Sequence, residues 1–172
     1  SQPLLRDGAV IQRYLEDAVD LNISVRTHPQ VSLSAVERPL RPEVPGIYSY
    51  RDKYLSGSQG MASAPRELPA QLPADIEGQL RTIAAQVIDL AMVRSVARID
   101  FLWNPDGLWV NEINTIPGSL SWYFWAHEGV PVGRLLGEMI EEALAVPAIT
   151  FRTDGADGTA LRDVGAIANK LT

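Results

Sequence analysis

The sequence has no cysteine, and only Lys53 and Lys170 are lysines among its 15 basic residues. The absence of cysteine excludes a disulfide framework, a thiol nucleophile and any metal site built on thiolates, and it fits a reducing cytoplasm. No run of about 18 apolar residues is present, so we expect no membrane span. The net charge of −6 provides no basic surface for nucleic acid. We therefore expect a cytoplasmic protein without a nucleic-acid or membrane partner.

The patterning of the chain is that of an α+β domain. Its 172 residues are 46% hydrophobic and 21% charged, which is ordinary for a globular protein with a real core. Alternating apolar and polar residues predict paired strands at 20–25 and 31–37, and the apolar run 9–15 predicts another strand. Residues 49–72 are polar and predict a long loop. Helical spacing predicts one helix after Pro73 and a second whose apolar stripe is Leu135, Leu136, Met139, Ile140, Ala143 and Leu144.

A hairpin at 96–114 is the most informative local feature. Two β-prone runs flank the turn sequence NPDG. A three-residue loop, Pro105-Asp106-Gly107, suits a type I turn followed by a left-handed glycine, and it would pair Asn104 with Leu108.

That register brings polar side chains together on one face. Asp100 faces Glu112 and Arg98 faces Asn114, while Ile99, Phe101 and Ile113 point to the other face and can pack on a helix. Two opposed carboxylates repel each other, and a bound cation would remove that cost. Carboxylate and amide oxygens suit Mg²⁺ or Mn²⁺ better than zinc. From the pattern alone, a solvated face with charges there by chance is about equally probable.

Three motifs resemble those of the D-alanine–D-alanine ligase family. They are YRDKYLSG at 50–57, ARID at 97–100 and VNEINTIPG at 110–118, and they occur in the family's order. A weaker resemblance extends from residue 10 to about residue 145. The resemblance implies that the chain is the C-terminal portion of an ATP-grasp domain, with an antiparallel sheet and packed helices.

The same resemblance assigns parts of that domain to segments of the chain. It implies a hinge strand at 9–15, a mobile loop at 49–66, a metal-site hairpin at 96–114 and a C-terminal tail at 147–172. The family's N-terminal domain and the first half of the ATP-grasp domain, with its glycine-rich phosphate loop, have no counterpart here. We therefore expect a fragment, a split subunit or a truncated domain.

The resemblance also implies catalytic and metal-binding roles. Asp100, Glu112 and Asn114 match the Mg²⁺ ligands. Arg98 and the backbone N–H of Gly118 match the donors that steady the oxyanion of a tetrahedral intermediate, where such donors are typically worth ~2.7–4 kcal/mol each.

ATP-binding roles follow from the same match. Lys53 on the mobile loop matches the lysine that reaches the γ-phosphate, and an ordinary solvated lysine is the alternative. Arg13 and Leu15 match the backbone groups that hold adenine, and Gln12 stands where the family usually has glutamate. Asp20 matches the ribose-binding acid if one residue is inserted, and a strand-edge charge is the alternative.

The acceptor end of the site departs from the family. After Gly118 the family continues with a Phe-Thr-Ser-like run, whereas this chain has SLSWYFWAHEGV. Ser119, Ser121 and Tyr123 offer hydroxyls for substrate binding, and Tyr54 follows Lys53 as it does in the family. The aromatic residues 122–125 fit an acceptor pocket and a core or interface equally well.

The resemblance implies an ATP-dependent ligase that joins two D-alanines through an acylphosphate, for peptidoglycan precursors and cell-wall synthesis. Its cofactors would be ATP and Mg²⁺ or Mn²⁺. We expect this chain alone to be inactive, and a partner chain supplying the remainder or a homodimer is compatible with the sequence. The alternatives are an ATP-grasp ligase with another small amino-acid or hydroxy-acid acceptor, and a non-catalytic fragment or subunit.

Overall fold

The computed structural model describes residues 11–40 and 65–147. Its strands form one antiparallel five-stranded sheet in the order β3-β2-β1-β4-β5. The elements are β1 (Val19–Arg26), β2 (Ser32–Pro39), β3 (Arg66–Glu67), α1 (Ala74–Leu90), β4 (Val96–Asn104), β5 (Gly107–Asn114), a short turn (Gly118–Ser121), α2 (Trp122–His127) and α3 (Val132–Ala145). The expected α+β class with an antiparallel sheet and packed helices is confirmed.

The chain divides into two compact units, residues 1–142 and 143–172. All the elements lie in the first unit apart from the last three residues of α3, and only residues 143–147 of the second unit are described. Within the described residues, no helix has both the length and the apolar character needed to cross a bilayer.

One face of the sheet packs against α1 and forms the main core. Strand alternation points Leu21, Ile23 and Val25 of β1 to this face, and all three are fully buried. The residues that α1 contributes are spaced by four, which places them on one side of the helix: Leu80, Ala84 and Ile88. Ile99 and Phe101 of β4 complete the cluster, and Ile113 packs against it as predicted. The opposite face is therefore left to the polar side chains of the same strands, and we call it the polar face.

The hinge strand predicted at 9–15 is wrong for residues 11–15, which have no regular secondary structure. A strand needs a neighbour to satisfy its backbone groups, and no described strand pairs with this segment. Ile11 and Tyr14 are accordingly exposed. Apolar composition alone predicted the strand without identifying a partner for it.

The apolar stripe predicted for α3 is wrong in part. Leu135 is buried with Val96 and Trp125, and Met139 packs beside them. However, Leu136 and Ile140 are exposed, and Glu138 and Glu142 face inward instead. The reason is that the end of the sheet presents polar partners. Arg26 pairs with Glu138, and the Thr27 hydroxyl donates to Glu142 at 2.8 Å.

Candidate metal and nucleotide site

The polar face carries a row of four side chains that crosses four neighbouring strands. Asn22 of β1 pairs with Glu37 of β2 on one side and with Asp100 of β4 on the other. Asp100 in turn pairs with Glu112 of β5, as the sequence predicted. A second row lies alongside, where Arg98 is flanked by Ser24 and Asn114. The sheet therefore gathers three carboxylates, two amides and a guanidinium on one surface.

The hairpin reaches this register by a different route from the predicted one. The loop has only two residues, Pro105 and Asp106, and Asn104 pairs with Gly107 rather than with Leu108. The Asn104 side chain accepts a hydrogen bond from the Asp106 N–H at 2.9 Å, which stabilises this shorter turn. A bulge between Asp100 and Phe101 then shifts the pairing by one residue, so Asp100 still faces Glu112. The predicted three-residue turn was wrong, and the bulge offsets the one-residue difference in loop length.

Arg98 and Asp100 form a buried, two-pronged ion pair. Arg98 Nε and Nη2 donate to the two Asp100 carboxylate oxygens at 2.6 and 2.7 Å. Both residues are less than 5% exposed. Burial by itself lowers the pKa of the Arg98 guanidinium, but the hydrogen bond and the negative charge of Asp100 outweigh it, so the net pKa is raised. Arg98 therefore remains a cation and orients the Asp100 carboxylate.

The residues around Asp100 offer oxygen atoms to a hard cation. Glu112 is exposed beside buried Asp100, and Asn114 Nδ2 donates to Asp100 at 3.1 Å and to Glu112 at 3.3 Å. This amide lies between the two carboxylates, where a cation would be stabilised, and turning it over would present its oxygen instead. No third acidic or histidine side chain joins the pair among the described residues. Such a donor set fits Mg²⁺, which takes its remaining ligands from phosphates and water.

Glu37 forms the centre of a buried cluster at the other end of the row. Its carboxylate accepts hydrogen bonds from Asn22 Nδ2 at 3.0 Å, from Arg66 Nη1 at 2.8 Å and from the Tyr123 hydroxyl at 3.3 Å. The Arg66 guanidinium also lies over the Tyr123 ring, 4.2 Å from its centre. The pKa of Tyr123 is raised, first by burial and then by the negative charge of Glu37, and the cations Arg66 and Arg98 only partly offset this. The Tyr123 hydroxyl is thus a neutral donor committed to Glu37.

A left-handed turn connects this cluster to the hairpin. Ser119, Leu120 and Ser121 have φ values of 52°, 50° and 51°. Each non-glycine residue in this region costs roughly 1–2 kcal/mol, and such strain persists only where the surroundings hold it. The turn starts at Gly118, and the Leu120 N–H donates to the Pro117 carbonyl at 2.9 Å. Strained backbone therefore lies next to the predicted oxyanion donor.

The three predicted acceptor-side hydroxyls have different environments. Ser119 is exposed, and Tyr123 is partly buried and bound to Glu37. Ser121 is fully buried, and its Oγ has no hydrogen-bond partner within the described part of the chain. A buried hydroxyl without a partner costs free energy.

The aromatic run that follows is divided between core and surface. Phe124 and Trp125 are buried, and Trp125 Nε1 donates to Ser24 Oγ at 3.0 Å. Trp122 is about one third exposed. The run thus attaches α2 to the sheet through Phe124 and Trp125 and leaves Tyr123 beside the polar row.

The predicted ATP-binding residues are only partly brought to the site. Asp20 alternates with the core residues of β1, so it shares the polar face with Asn22. Gln12 and Arg13 are exposed, and Leu15 is partly buried. These residues precede β1, where the described chain has no strand. Lys53 and Tyr54 of the predicted mobile loop, and the tail beyond residue 147, lie outside the described residues.

Sequence reasoning missed the cluster around Glu37. Asn22 and Glu37 stand at polar positions of two alternating strands, so the alternation itself could have placed them on the face of Asp100. Arg66 had no such signal because it lies in the segment 49–72, which the sequence predicted as a loop, whereas the structure places it in the short strand β3.

A family model described as the D-ala D-ala ligase C-terminus matches residues 5–141. The chain belongs to this family. A D-alanine–D-alanine ligase from Legionella pneumophila strain Corby is 34% identical over 149 residues, covering 83% of this chain. The chain spans 39% of the length of that relative, so the ligase C-terminal part is what it matches.

Solved structures show the same fold. D-alanyl-alanine synthetase A from Vibrio cholerae superposes with a TM-score of 0.62 at 24% identity, covering 77% of this chain and 40% of that one. A D-alanine–D-alanine ligase from Bacillus anthracis, complexed with ATP, superposes with a TM-score of 0.59 at 16% identity, covering 78% and 40%. The sheet and its helices are therefore the ligase C-terminal fold.

Proposed function

We propose that this chain supplies the metal-binding and acceptor end of an ATP-dependent ligase that joins two D-alanines for peptidoglycan precursors. The observation that carries the proposal is the opposed pair Asp100 and Glu112 beside a buried arginine, in a chain of the D-Ala–D-Ala ligase C-terminal family. The two matched relatives named D-alanine–D-alanine ligase support the substrate. The reaction would take place in the cytoplasm, where ATP is supplied.

Asp100, Glu112 and Asn114 would hold Mg²⁺ or Mn²⁺. When bound, such an ion offsets the negative charge of the phosphates during phosphoryl transfer. The Arg98 pair fixes the orientation of the Asp100 carboxylate, and Glu112 is left exposed to an incoming ligand. This division suits a site that is partly prebuilt and completed by ATP.

ATP would lie on the polar face near the start of β1. The ATP complex of the Bacillus anthracis relative supports the nucleotide. We assign the ribose contact to Asp20 and the adenine edge to Gln12, Arg13 and Leu15. Lys53 would reach the γ-phosphate, with Tyr54 beside the substrate.

Arg98 and Gly118 would stabilise the oxyanion formed when the acceptor amine attacks the acylphosphate. Guanidinium has five N–H donors, and Asp100 takes two of them. Gly118 begins the turn whose next three residues are left-handed, and that turn would hold its backbone N–H in place. Preorganised donors of this kind act without reorganising during the reaction.

The acceptor carboxylate would meet the hydroxyl of Ser121, with Ser119 at the rim and the Tyr123 ring as a wall. The support is that Ser121 is buried without a partner in the described chain, and a substrate oxygen would satisfy it. Tyr123 is a weaker hydroxyl candidate because its O–H already donates a hydrogen bond to Glu37.

The test measures phosphate release from ATP with Mg²⁺ and D-alanine. It uses this chain alone and joined to the N-terminal part of the Legionella pneumophila relative that it does not span. We expect D-alanine-dependent turnover in the joined protein, loss of turnover in Glu112→Gln and Asp100→Asn, and retention in Glu67→Gln, whose ion pair with Arg38 lies off the row.

If turnover required another amino or hydroxy acid, that compound and not D-alanine would be the acceptor. A folded joined protein that releases no phosphate with any acceptor would refute the ligase assignment and favour a non-catalytic module.

A further inference from the structure

The Glu37 cluster lies beside the end of the strained turn. Tyr123 lies two residues after Ser121, the last left-handed residue, and its hydroxyl is bound by a carboxylate that is itself only 3% exposed. Three consecutive non-glycine residues in this conformation need external restraint. The carboxylate is in turn fixed from two other elements, by Asn22 of β1 and Arg66 of β3.

The same cluster adjoins the proposed catalytic arginine. The Tyr123 hydroxyl donates to Glu37. The negative charge of Glu37 raises the pKa of both Arg98 and Tyr123, and the positive charge of Arg98 lowers that of Tyr123. Asn22 stands between Glu37 and Asp100 in the row. A displacement of the buried Glu37 carboxylate would therefore also displace Tyr123, and through Tyr123 the turn.

We propose that Glu37, held by Asn22 and Arg66, is a positioning residue that fixes Tyr123 and with it the turn Gly118–Ser121 at the acceptor end of the site. This inference rests on the proposed function for its effect on acceptor choice. Glu37 touches no reacting atom. It sets the place of the Tyr123 ring and of the Ser121 hydroxyl, and thereby the room left for the acceptor side chain.

The chain offers a milder variant and a matched control. Glu37→Gln removes the charge and keeps the shape, and Tyr123→Phe removes only the hydroxyl that reaches Glu37. Glu67→Gln removes one carboxylate from the adjacent strand, where its partner is Arg38 at 3.0 Å. Another hydrogen bond, from the Ala35 N–H of β2 to the Glu128 side chain at 2.8 Å, ties β2 to the residue that follows α2 and involves none of the three substituted side chains.

The first readout needs no activity. Amide resonances of the ¹⁵N-labelled 172-residue chain are compared among the variants by NMR. We expect Glu37→Gln and Tyr123→Phe to shift the signals of residues 118–123, and Glu67→Gln to leave them in place. The proposal would be overturned by two results together. In Glu37→Gln the signals near Asn22 and Arg66 would shift but those of residues 118–123 would not, and in Tyr123→Phe the signals of residues 118–121 would not shift.

The second readout is acceptor discrimination in the joined protein, measured as the ratio of kcat/KM for D-alanine to that for D-2-aminobutyrate. One extra methylene in a fitted pocket is worth roughly 10–200-fold. If the Tyr123 ring is less firmly held in Glu37→Gln, the ratio should fall by roughly tenfold. Loss of stability alone would lower kcat/KM for both acceptors equally. An unchanged ratio with active enzyme would refute the positioning role. Absence of any ligation by the unsubstituted protein would refute the proposed function instead. The NMR comparison would still show whether Glu37 fixes Tyr123 and the turn.

Discussion

Asp100 and Glu112 face each other, but their replacement should have very different effects on stability. The Asp100→Asn substitution leaves the Arg98 guanidinium buried without its anion. Breaking a buried ion pair by removing one partner costs about 3–5 kcal/mol. Because about 1 kcal/mol corresponds to roughly 2–4 °C in a chain of this length, the melting temperature should fall by at least ~6 °C. Glu112 is exposed, so Glu112→Gln should change stability by no more than about 0.5 kcal/mol.

The assay is thermal and urea unfolding of the 172-residue chain in EDTA, followed by circular dichroism. The measurement compares the two variants with the unsubstituted chain under the same conditions. Equal melting temperatures for Asp100→Asn and Glu112→Gln would refute the reasoning, because they would mean that Asp100 does not compensate the buried charge of Arg98. Higher stability of Asp100→Asn would refute it as well.

Three further predictions follow from the acceptor end of the site. Tyr123 keeps its proton above the ordinary pKa of about 10 that holds in the unfolded chain. The folded state therefore binds the proton more tightly, and stability should fall as the pH rises above about 10. This loss of stability should be smaller in Tyr123→Phe. It is measured as the change in the urea midpoint between pH 9 and pH 11, and an equal change in the two proteins would contradict the prediction. Ser121→Ala removes a buried hydroxyl that has no partner in the described chain. It should raise stability by about 1 kcal/mol while raising KM for the acceptor in the joined protein, and a loss of stability would contradict the structure. Ser119 is exposed at φ 52°, so Ser119→Gly should stabilise by about 1 kcal/mol through relief of strain. Ser119→Ala serves as the control and should bring no such gain in urea unfolding.

The sequence predicted the parts of the fold that depend on periodicity. Alternation located β1 and β2, and helical spacing located α1, because each element buries one face in the same core. The Asp100–Glu112 register was also predicted correctly, although the turn from which it was counted was wrong. Two errors in the prediction cancelled: the loop is one residue shorter than predicted, and a bulge that was not predicted restores the pairing.

The remaining features depend on contacts between distant segments. Nothing local indicates that Glu138 and Glu142 of α3 turn inward, because their partners Arg26 and Thr27 lie more than 100 residues away. The same holds for Glu37, whose partners come from three different elements. Hydrophobic patterning predicts an apolar face for a helix, and here an ion pair and a hydrogen bond to distant residues override it.

The assignment of Asp100 and Glu112 as ligands of the divalent ion is tested most directly by adding substoichiometric Mn²⁺ with ATP to the ¹⁵N-labelled chain and recording which amide signals broaden. We expect the signals of residues near 100, 112 and 114 to broaden first. Glu112→Gln should abolish this broadening, and Glu67→Gln should not. Broadening centred elsewhere on the chain, or unchanged in Glu112→Gln, would contradict the assignment of the metal site.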